Sequence, residues 1–535
     1  MQHTPVLIIG GSLVGLSAAL FLGWRDVPVI IIEKHHGSSP HPRATGFTER
    51  TLEHFRVVGI ADQIPQVDAG VRLRRVTAES LAGNWHEEMP WTPGDDRAFG
   101  EKASPCNGAA IAQDKLEPML RRAALKHGAD LRLGTEVLSF EQDADGVIAH
   151  IRDRDTGEQY AIHADYMIAA DGADSPIRET LGIARSGVGH LRTLRSVLFR
   201  CPEAETYLDR GVQQFQIEQP DFKGFLTSYG DGRWVLMFDD DRERSAAELN
   251  DTVRTALGRE MAFEPLATGR WEMAGRIAER YADGRVFLAG DAAHQLPPTR
   301  GGFGANTGID DAWTLAWKLE WVLNGWSNAR LLDSYDAERQ PIGWLRHQQT
   351  FARPDYARSA GHTLKSEPLF GNEAMELGQL SRSSIILGAG PDLPAAARPS
   401  EWAGQPGTRA PHQWLERNGQ TLSTIDLFGR NFVLFSQEPR WISATKDAAT
   451  ELGISVETIQ IGQDLAPSDP ASFAQHFGIS AEGAFLVRPD GIVAWRSHDI
   501  SEAPTMTIVN VLHQVAALAS NPNQTNNEPP AQLKR

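Results

Sequence analysis

The chain has 535 residues, too many for one ordinary hydrophobic core, so two or three domains are expected. A hydrophobic fraction of 41% and a charged fraction of 23% describe an ordinary globular protein, and a net charge of -17 argues against nucleic acid or an anionic membrane surface as partner. Only Cys106 and Cys201 occur, with no Cys-x-x-Cys spacing and no Cys/His cluster, so neither a disulfide scaffold nor a zinc site is credible and the cytoplasm is the natural compartment.

Residues 5–23 are almost wholly apolar and imitate a signal core or membrane span. No Lys or Arg precedes them, and Gly10, Gly11 and Gly15 fall where a strand would turn into a helix, so they read as something else. Val6–Ile9 suits a buried parallel strand, Leu16–Leu22 a helix, and Val29–Ile32 a second strand ending on Glu33. Between the first strand and the helix stands Gly10-Gly11-Ser12-Leu13-Val14-Gly15. Strand, glycine turn, helix and strand closed by an acid form the unit that binds an ADP moiety. Its glycines admit the pyrophosphate, its helix N-terminus offers amides, and its acid takes the ribose hydroxyls. Ser12 replaces the middle glycine of the usual pattern, and the bland alternative is a tight turn that binds nothing. The motif by itself fits FAD or NAD, while Glu33 would repel the 2′-phosphate of NADP.

Tyr166–Ala170 is a further short apolar strand, followed by Asp171-Gly172-Ala173-Asp174-Ser175-Pro176-Ile177-Arg178. Val286–Ala289 leads into Gly290-Asp291-Ala292-Ala293-His294, then Pro297-Pro298-Thr299-Arg300-Gly301-Gly302-Phe303-Gly304-Ala305-Asn306, and a helix through Asp310, Asp311 and Lys318. Asp291 at a strand end can accept hydrogen bonds from ribityl hydroxyls, which NAD lacks; its bland alternative is a helix cap.

These three motifs, in this order and spacing, resemble the para-hydroxybenzoate hydroxylase class of single-component flavoprotein monooxygenases. Within it the chain is most similar to hydroxylases of anthracyclines and other aromatic polyketides, the aklavinone hydroxylase type. The resemblance implies FAD held by Gly10, Ser12, Leu13, Val14, Gly15, Glu33, Lys34, Arg43, Gln113, Val137, Asp171, Gly290, Asp291, Pro298, Gly304, Ala305 and Asn306. Amides of Ala305 and Asn306 would face the flavin C2 carbonyl at a helix N-terminus. Asp171 and Arg178 would serve both flavin and nicotinamide, with a structural salt bridge the equal alternative for Arg178. The implied reaction uses NADPH or NADH and O2, with a C4a-hydroperoxyflavin transferring oxygen to a phenolic aromatic substrate, and needs no metal.

The implied fold class is α/β. Residues 1–183 and 270–395 would build a discontinuous Rossmann-like FAD-binding domain, with 71–104 contributing to the substrate domain. Residues 184–269, read as the strands VQQFQIEQ, GFLTSYG and RWVLMFDD, would form an inserted β-sheet substrate domain. The Ala/Pro-rich stretch 390–411 reads as a linker. Residues 404–520 resemble a thioredoxin-like C-terminal domain without cysteine, and 521–535 is a polar tail expected to be disordered. Candidate substrate residues are Gln214, Gln216, Tyr229, Arg353 and Arg358, the two arginines having a solvated surface role as alternative; no catalytic base is assigned. His294 reads as a packing residue. A monomer or homodimer is expected, with no membrane. Rival readings are a Baeyer–Villiger oxygenation, hydroxylation of a simple phenol in catabolism, and a flavin-binding protein without activity. The Trp-x-Trp-x-Ile-Pro signature of flavin halogenases is absent.

Overall fold

The computed structural model describes residues 1–41, 44–68, 74–88, 102–239, 242–298, 302–357 and 368–519, with backbone only at 470 and 471. Arg43, Gly301, Arg358 and the tail 521–535 therefore lie outside the described residues. The apolar run near the N-terminus divides between strand β1 (Gln2–Ile9) and helix α1 (Leu13–Trp24), and β2 (Val29–Glu33) follows. Two glycines make this turn. Gly10 has φ +103°, and a Cβ on Gly15 would sit 1.8 Å from the Gly10 carbonyl oxygen, so only glycine lets the helix start so close to the strand. No helix among the described residues is long and apolar enough to cross a membrane.

The described chain divides into two compact units. The first comprises Met1–Ala316, Arg339–Gln379 and Pro394–Glu401; the second comprises Trp317–Glu338, Leu380–Leu393 and the described residues from Trp402 onward.

The first unit holds two eight-stranded sheets. In one, β3 (Asp130–Leu133), β4 (Gln159–Ala169) and β5 (Val286–Leu288) join the first two strands in the order β5-β4-β1-β2-β3, all parallel, with Ala282–Asp283 at the β5 edge. Register is strict: Ile9 pairs with Ala169 and with Ile32, and Ala169 with Leu288, so three strands end side by side.

The second sheet is antiparallel but for one pair. It contains the three anticipated strands at Gln214–Gln219, Phe222–Ser228 and Arg233–Asp239. It also contains two long strands that local pattern did not disclose, Arg185–Arg200 and Glu264–Ala278. These carry β-bulges and charged residues that interrupt alternation. Arg75–Ala78 and Trp85–Glu87 extend the far edge. Val197, Phe199, Phe215, Ile217, Trp234, Leu236 and Phe238 bury one face beneath the helix Ala246–Leu257. Period-two alternation sends Gln214, Gln216, Phe225, Thr227, Val235 and Met237 to the other face.

In the second unit, Val456–Gln460, Phe432–Ser436, Ala484–Val487 and Val493–Ser497 form a four-stranded sheet in that order. Phe432 and Leu434 join a core with Trp317, Trp321, Trp441 and Leu512, while Val433 and Phe435 join another with Phe473 and Phe485. Burial on both faces explains why this strand is an unbroken apolar run. Buried within the unit is an ion cluster. Glu338 accepts from Lys318 Nζ (3.1 Å) and from both terminal nitrogens of Arg488 (2.7 and 2.9 Å); Arg488 also pairs with Asp490. The stretch 390–411 is not a free linker. Ala397 N–H donates to Gly378 O at 3.1 Å in the first unit, and Ala410 N–H to Gly491 O at 2.9 Å in the second, so backbone pairing orders it.

Candidate functional site

The parallel strands end at one place because their hydrogen bonds continue past the sheet. Gly10 N–H donates to Ile32 O (2.9 Å), Ala170 N–H to Ile9 O (2.8 Å) and Ala289 N–H to Ala169 O (3.0 Å). The glycine turn 10–15, Asp171 and the pair Gly290–Asp291 therefore stand together at the carboxyl ends of β1, β4 and β5, the position where open α/β sheets bind ligands.

Glu33 ends β2 with 9% of its surface exposed; one carboxylate oxygen accepts from Gly11 N–H at 2.7 Å, the other from His35 N–H (2.8 Å) and His35 Nδ1 (2.6 Å). Lys34 is exposed, and its carbonyl accepts from Arg154. Ser12 caps α1 in extended conformation, but its hydroxyl turns to helix α2 (Gln113–Lys126), donating to Glu117 at 2.6 Å and accepting from Gln113 at 3.1 Å. Gln113 also donates to Glu117 (2.7 Å) and accepts from Ala44 N–H (3.3 Å). Gln113 is thus brought against the glycine turn, tied by a buried acid that motif reading overlooked. Its placement four residues after Gln113, on the same helix face, is the signal that was available. Val137 is half-buried on the strand Thr135–Gln142, beside Ile151.

Asp171 has one carboxylate oxygen that accepts from Ile177 N–H at 3.3 Å and another that is buried without a hydrogen-bond partner. Burial pushes its carboxyl above the usual carboxylate range. Arg178 is buried and donates to the carbonyls of Ala173 (3.0 Å) and Ala292 (3.3 Å), pinning the Asp171 turn to the Gly290 turn.

After β5 the chain makes one turn of 3₁₀ helix, Gly290–Ala292, with Asp291 exposed at its outer side. His294–Gln295 then pairs with Arg276 and Ile277, so this motif passes from one sheet to the other within five residues. Helix α3 (Phe303–Leu323) begins beside it; Gly304 and Ala305 in its first turn are half-buried, and a Cβ on Gly304 would meet nothing within 4 Å. Asn306 is only 3% exposed, and its side chain is wholly engaged. It accepts from Thr48 N–H (3.0 Å) and Thr51 Oγ1 (2.7 Å), and donates to Gly302 O (2.8 Å) and Gly46 O (3.2 Å). Pro298 is exposed, and its carbonyl accepts from the Tyr356 hydroxyl.

The expected substrate residues separate. Gln214 and Gln216 share the sheet face opposite the helix Ala246–Leu257; Gln216 donates to Gly224 O at 3.3 Å, whereas Oε1 of Gln214 is buried without a partner. Tyr229 lies in the turn after Phe222–Ser228, its ring 5.4 Å from the Arg233 guanidinium, and burial pushes its hydroxyl up, so it stays protonated at neutral pH. Arg353 is a correction. It is fully buried, neither solvated nor open to a substrate, and donates to Gln349 O (2.6 Å) and Phe370 O (2.8 Å) with Phe303 alongside. A guanidinium satisfies backbone carbonyls there, which sequence distance concealed.

Comparison with known proteins agrees with this geometry. The FAD binding domain family matches residues 3–350, and the C-terminal domain of aromatic-ring hydroxylases matches residues 403–517. The chain belongs to the FAD-dependent aromatic-ring hydroxylases, a monooxygenase family. It is 36% identical to tetracenomycin A2 monooxygenase-dioxygenase of Streptomyces glaucescens, covering 97% of this chain and 98% of that one. It is 37% identical to a 4-methyl-5-nitrocatechol 5-monooxygenase of Burkholderia, covering 96% and 97%. A crystal structure of aklavinone-11 hydroxylase with FAD and aklavinone superposes with a TM-score of 0.86 at 35% identity, covering 96% of this chain and 99% of that one.

Proposed function

We propose that this protein hydroxylates a phenolic, polyketide-type aromatic compound in the cytoplasm, as a monomer or homodimer, using NADPH or NADH and O2. The observation that carries the reading is the gathering of the glycine turn, Asp171 and Asp291 at one sheet end, where the chain passes directly into the antiparallel sheet.

The residues fit FAD. Asp171 presents a buried oxygen with no protein partner, Asp291 stands exposed beside it, and Gly290 admits no side chain because a Cβ there would lie 2.8 Å from Val14. Gly10, Leu13, Val14 and Gly15 would receive the pyrophosphate, Glu33 and Lys34 the adenosine, and Gln113 and Val137 would border the ADP half, with Arg43 completing it. Ser12, whose hydroxyl is committed to Glu117, would act through its backbone amide. Asp291 would accept from the ribityl chain, and Pro298, Gly304, Ala305 and Asn306 would border the ring. Because the Asn306 side chain is consumed in bracing Gly46, Thr48 and Thr51, only its backbone remains for the cofactor. FAD bound there would carry the two electrons of a nicotinamide hydride to O2, so that one oxygen atom of O2 could go to the aromatic carbon and the other leave as water.

The protein's own work is to bind, orient and exclude water. The sheet face that carries Phe225 and Met237 would take a flat ligand, with Gln214 accepting from a phenolic hydroxyl and Gln216 beside it. Tyr229, held protonated, can donate but cannot serve as a base. Similar identity to the nitrocatechol monooxygenase makes a monocyclic phenol the second reading.

The test is a panel of anthracyclinones, naphthacenequinones and nitrocatechols, scored by nicotinamide oxidation and by incorporation of one labelled oxygen atom from O2. Turnover of a multi-ring phenol supports the first reading and turnover confined to catechols the second. Insertion of oxygen beside a ketone, or no nicotinamide oxidation with any member, refutes both.

A further inference from the structure

Beneath the Gly290–Asp291 turn runs a chain of buried polar groups drawn from three helices. Asp311, fully buried on α3, accepts from Gly290 N–H at 3.2 Å and lies 2.7 Å from Nε2 of His294, with the same carboxylate oxygen. Its other oxygen accepts from Arg339 Nε at 2.8 Å, on helix α4 (Asp333–Phe351). Arg339 continues to Asp310 (2.5 Å) and to the carbonyl of Thr307 (3.2 Å), and Asp310 lies 2.9 Å from Nε2 of His54, on the helix Glu49–Val57. Burial opposes the charge on Asp311, but His294 and Arg339 outweigh it and hold the carboxyl below its usual range, so the His294 ring donates to it.

One carboxylate oxygen thus grips both ends of the five-residue motif, the Gly290 amide at its start and the His294 ring at its end. Asp291 lies between them and is itself exposed. The turn has little freedom elsewhere: Gly290 has φ +63°, and Val14 and Gly308 press on it so closely that a Cβ at Gly308 would be 2.9 Å from the Gly290 Cα. Packing fixes where the turn sits, and the Asp311 carboxylate fixes how it is rotated, hence where Asp291 points.

We propose that Asp311, with His294, is a positioning residue for the cofactor: it orients the Asp291 carboxylate without touching the ligand. The inference rests on the reading that Asp291 contacts the ribityl chain. It differs from simple core stability because its effect on FAD must pass through Asp291.

The experiment is a double-mutant cycle on FAD affinity, measured by flavin fluorescence titration of apoprotein, with thermal unfolding of each apoprotein recorded beside it. Asp291→Ala and Asp311→Asn should each raise Kd by roughly tenfold or more, and the double variant should bind no more weakly than Asp291→Ala alone. His294→Asn keeps Asp311 paired with Arg339 and removes only the ring that donates to it, and should show the same non-additive loss. If Asp311→Asn does not fold, the His294→Asn cycle decides. Wild-type affinity in Asp291→Ala would overturn the underlying reading of Asp291. Weakened Asp291→Ala with either full affinity or fully additive losses in the Asp311 and His294 variants would overturn this proposal alone.

Discussion

Replacing Glu338 by glutamine should destabilise the C-terminal unit by an amount the structure lets one work out. Glu338 is 2% exposed and compensates two buried cations, Lys318 and Arg488. Burial already pulls the Lys318 ammonium down to about 8 against the attraction of Glu338. Stranded without its partner it can shed its proton, at a cost on the order of 1 kcal/mol near pH 7. Arg488 cannot deprotonate, and losing one charge-assisted pair to it costs about 1.5–3 kcal/mol, partly offset because Asp490 remains. The sum, about 3–4 kcal/mol, falls in the range for breaking a buried ion pair. For a unit of this size each kcal/mol lowers Tm by about 2–4 °C, so calorimetry of the full chain should show its transition about 6–16 °C lower. The double replacement Lys318→Met, Glu338→Met leaves Arg488 balanced by Asp490 and should be more stable than Glu338→Gln alone. A single variant within about 1 kcal/mol of the parent, or a double variant less stable than the single, would refute this electrostatic account.

Asp171→Asn should stabilise the apoprotein at neutral pH while weakening FAD binding. Its folded pKa is raised by burial, so the ionised carboxyl costs nothing below the ordinary carboxylate range and an increasing amount as pH rises through the folded value. Unchanged apoprotein Tm with intact flavin affinity would count against it. His347 is held down to about 4 by burial, with its Nε2 accepting from Val188 N–H, so stability should fall as pH drops from about 6.5 towards 4. His347→Gln, which can still accept that bond, should flatten this part of the Tm–pH curve; an identical curve would remove His347 as the cause. Gly15→Ala drives a methyl into the Gly10 carbonyl and should abolish retention of flavin absorbance after gel filtration, whereas a yellow variant would show that the turn can open.

The strand, glycine turn and helix that open the chain were legible in the sequence because each part is a local event. A strand, a glycine that accepts φ +103°, a helix start and a terminal acid lie within one continuous segment, and steric limits on backbone dictate them residue by residue. The long strands Arg185–Arg200 and Glu264–Ala278 were hidden, since their pairing partners are distant in sequence and their bulges erase alternation. Composition likewise could not tell a solvated arginine from Arg353, buried among carbonyls, nor an idle aspartate from Asp311. The free energy of a buried charge depends on which groups surround it in space. Those neighbours come from segments as far apart as residues 54, 294, 311 and 339, and only the tertiary structure brings them together.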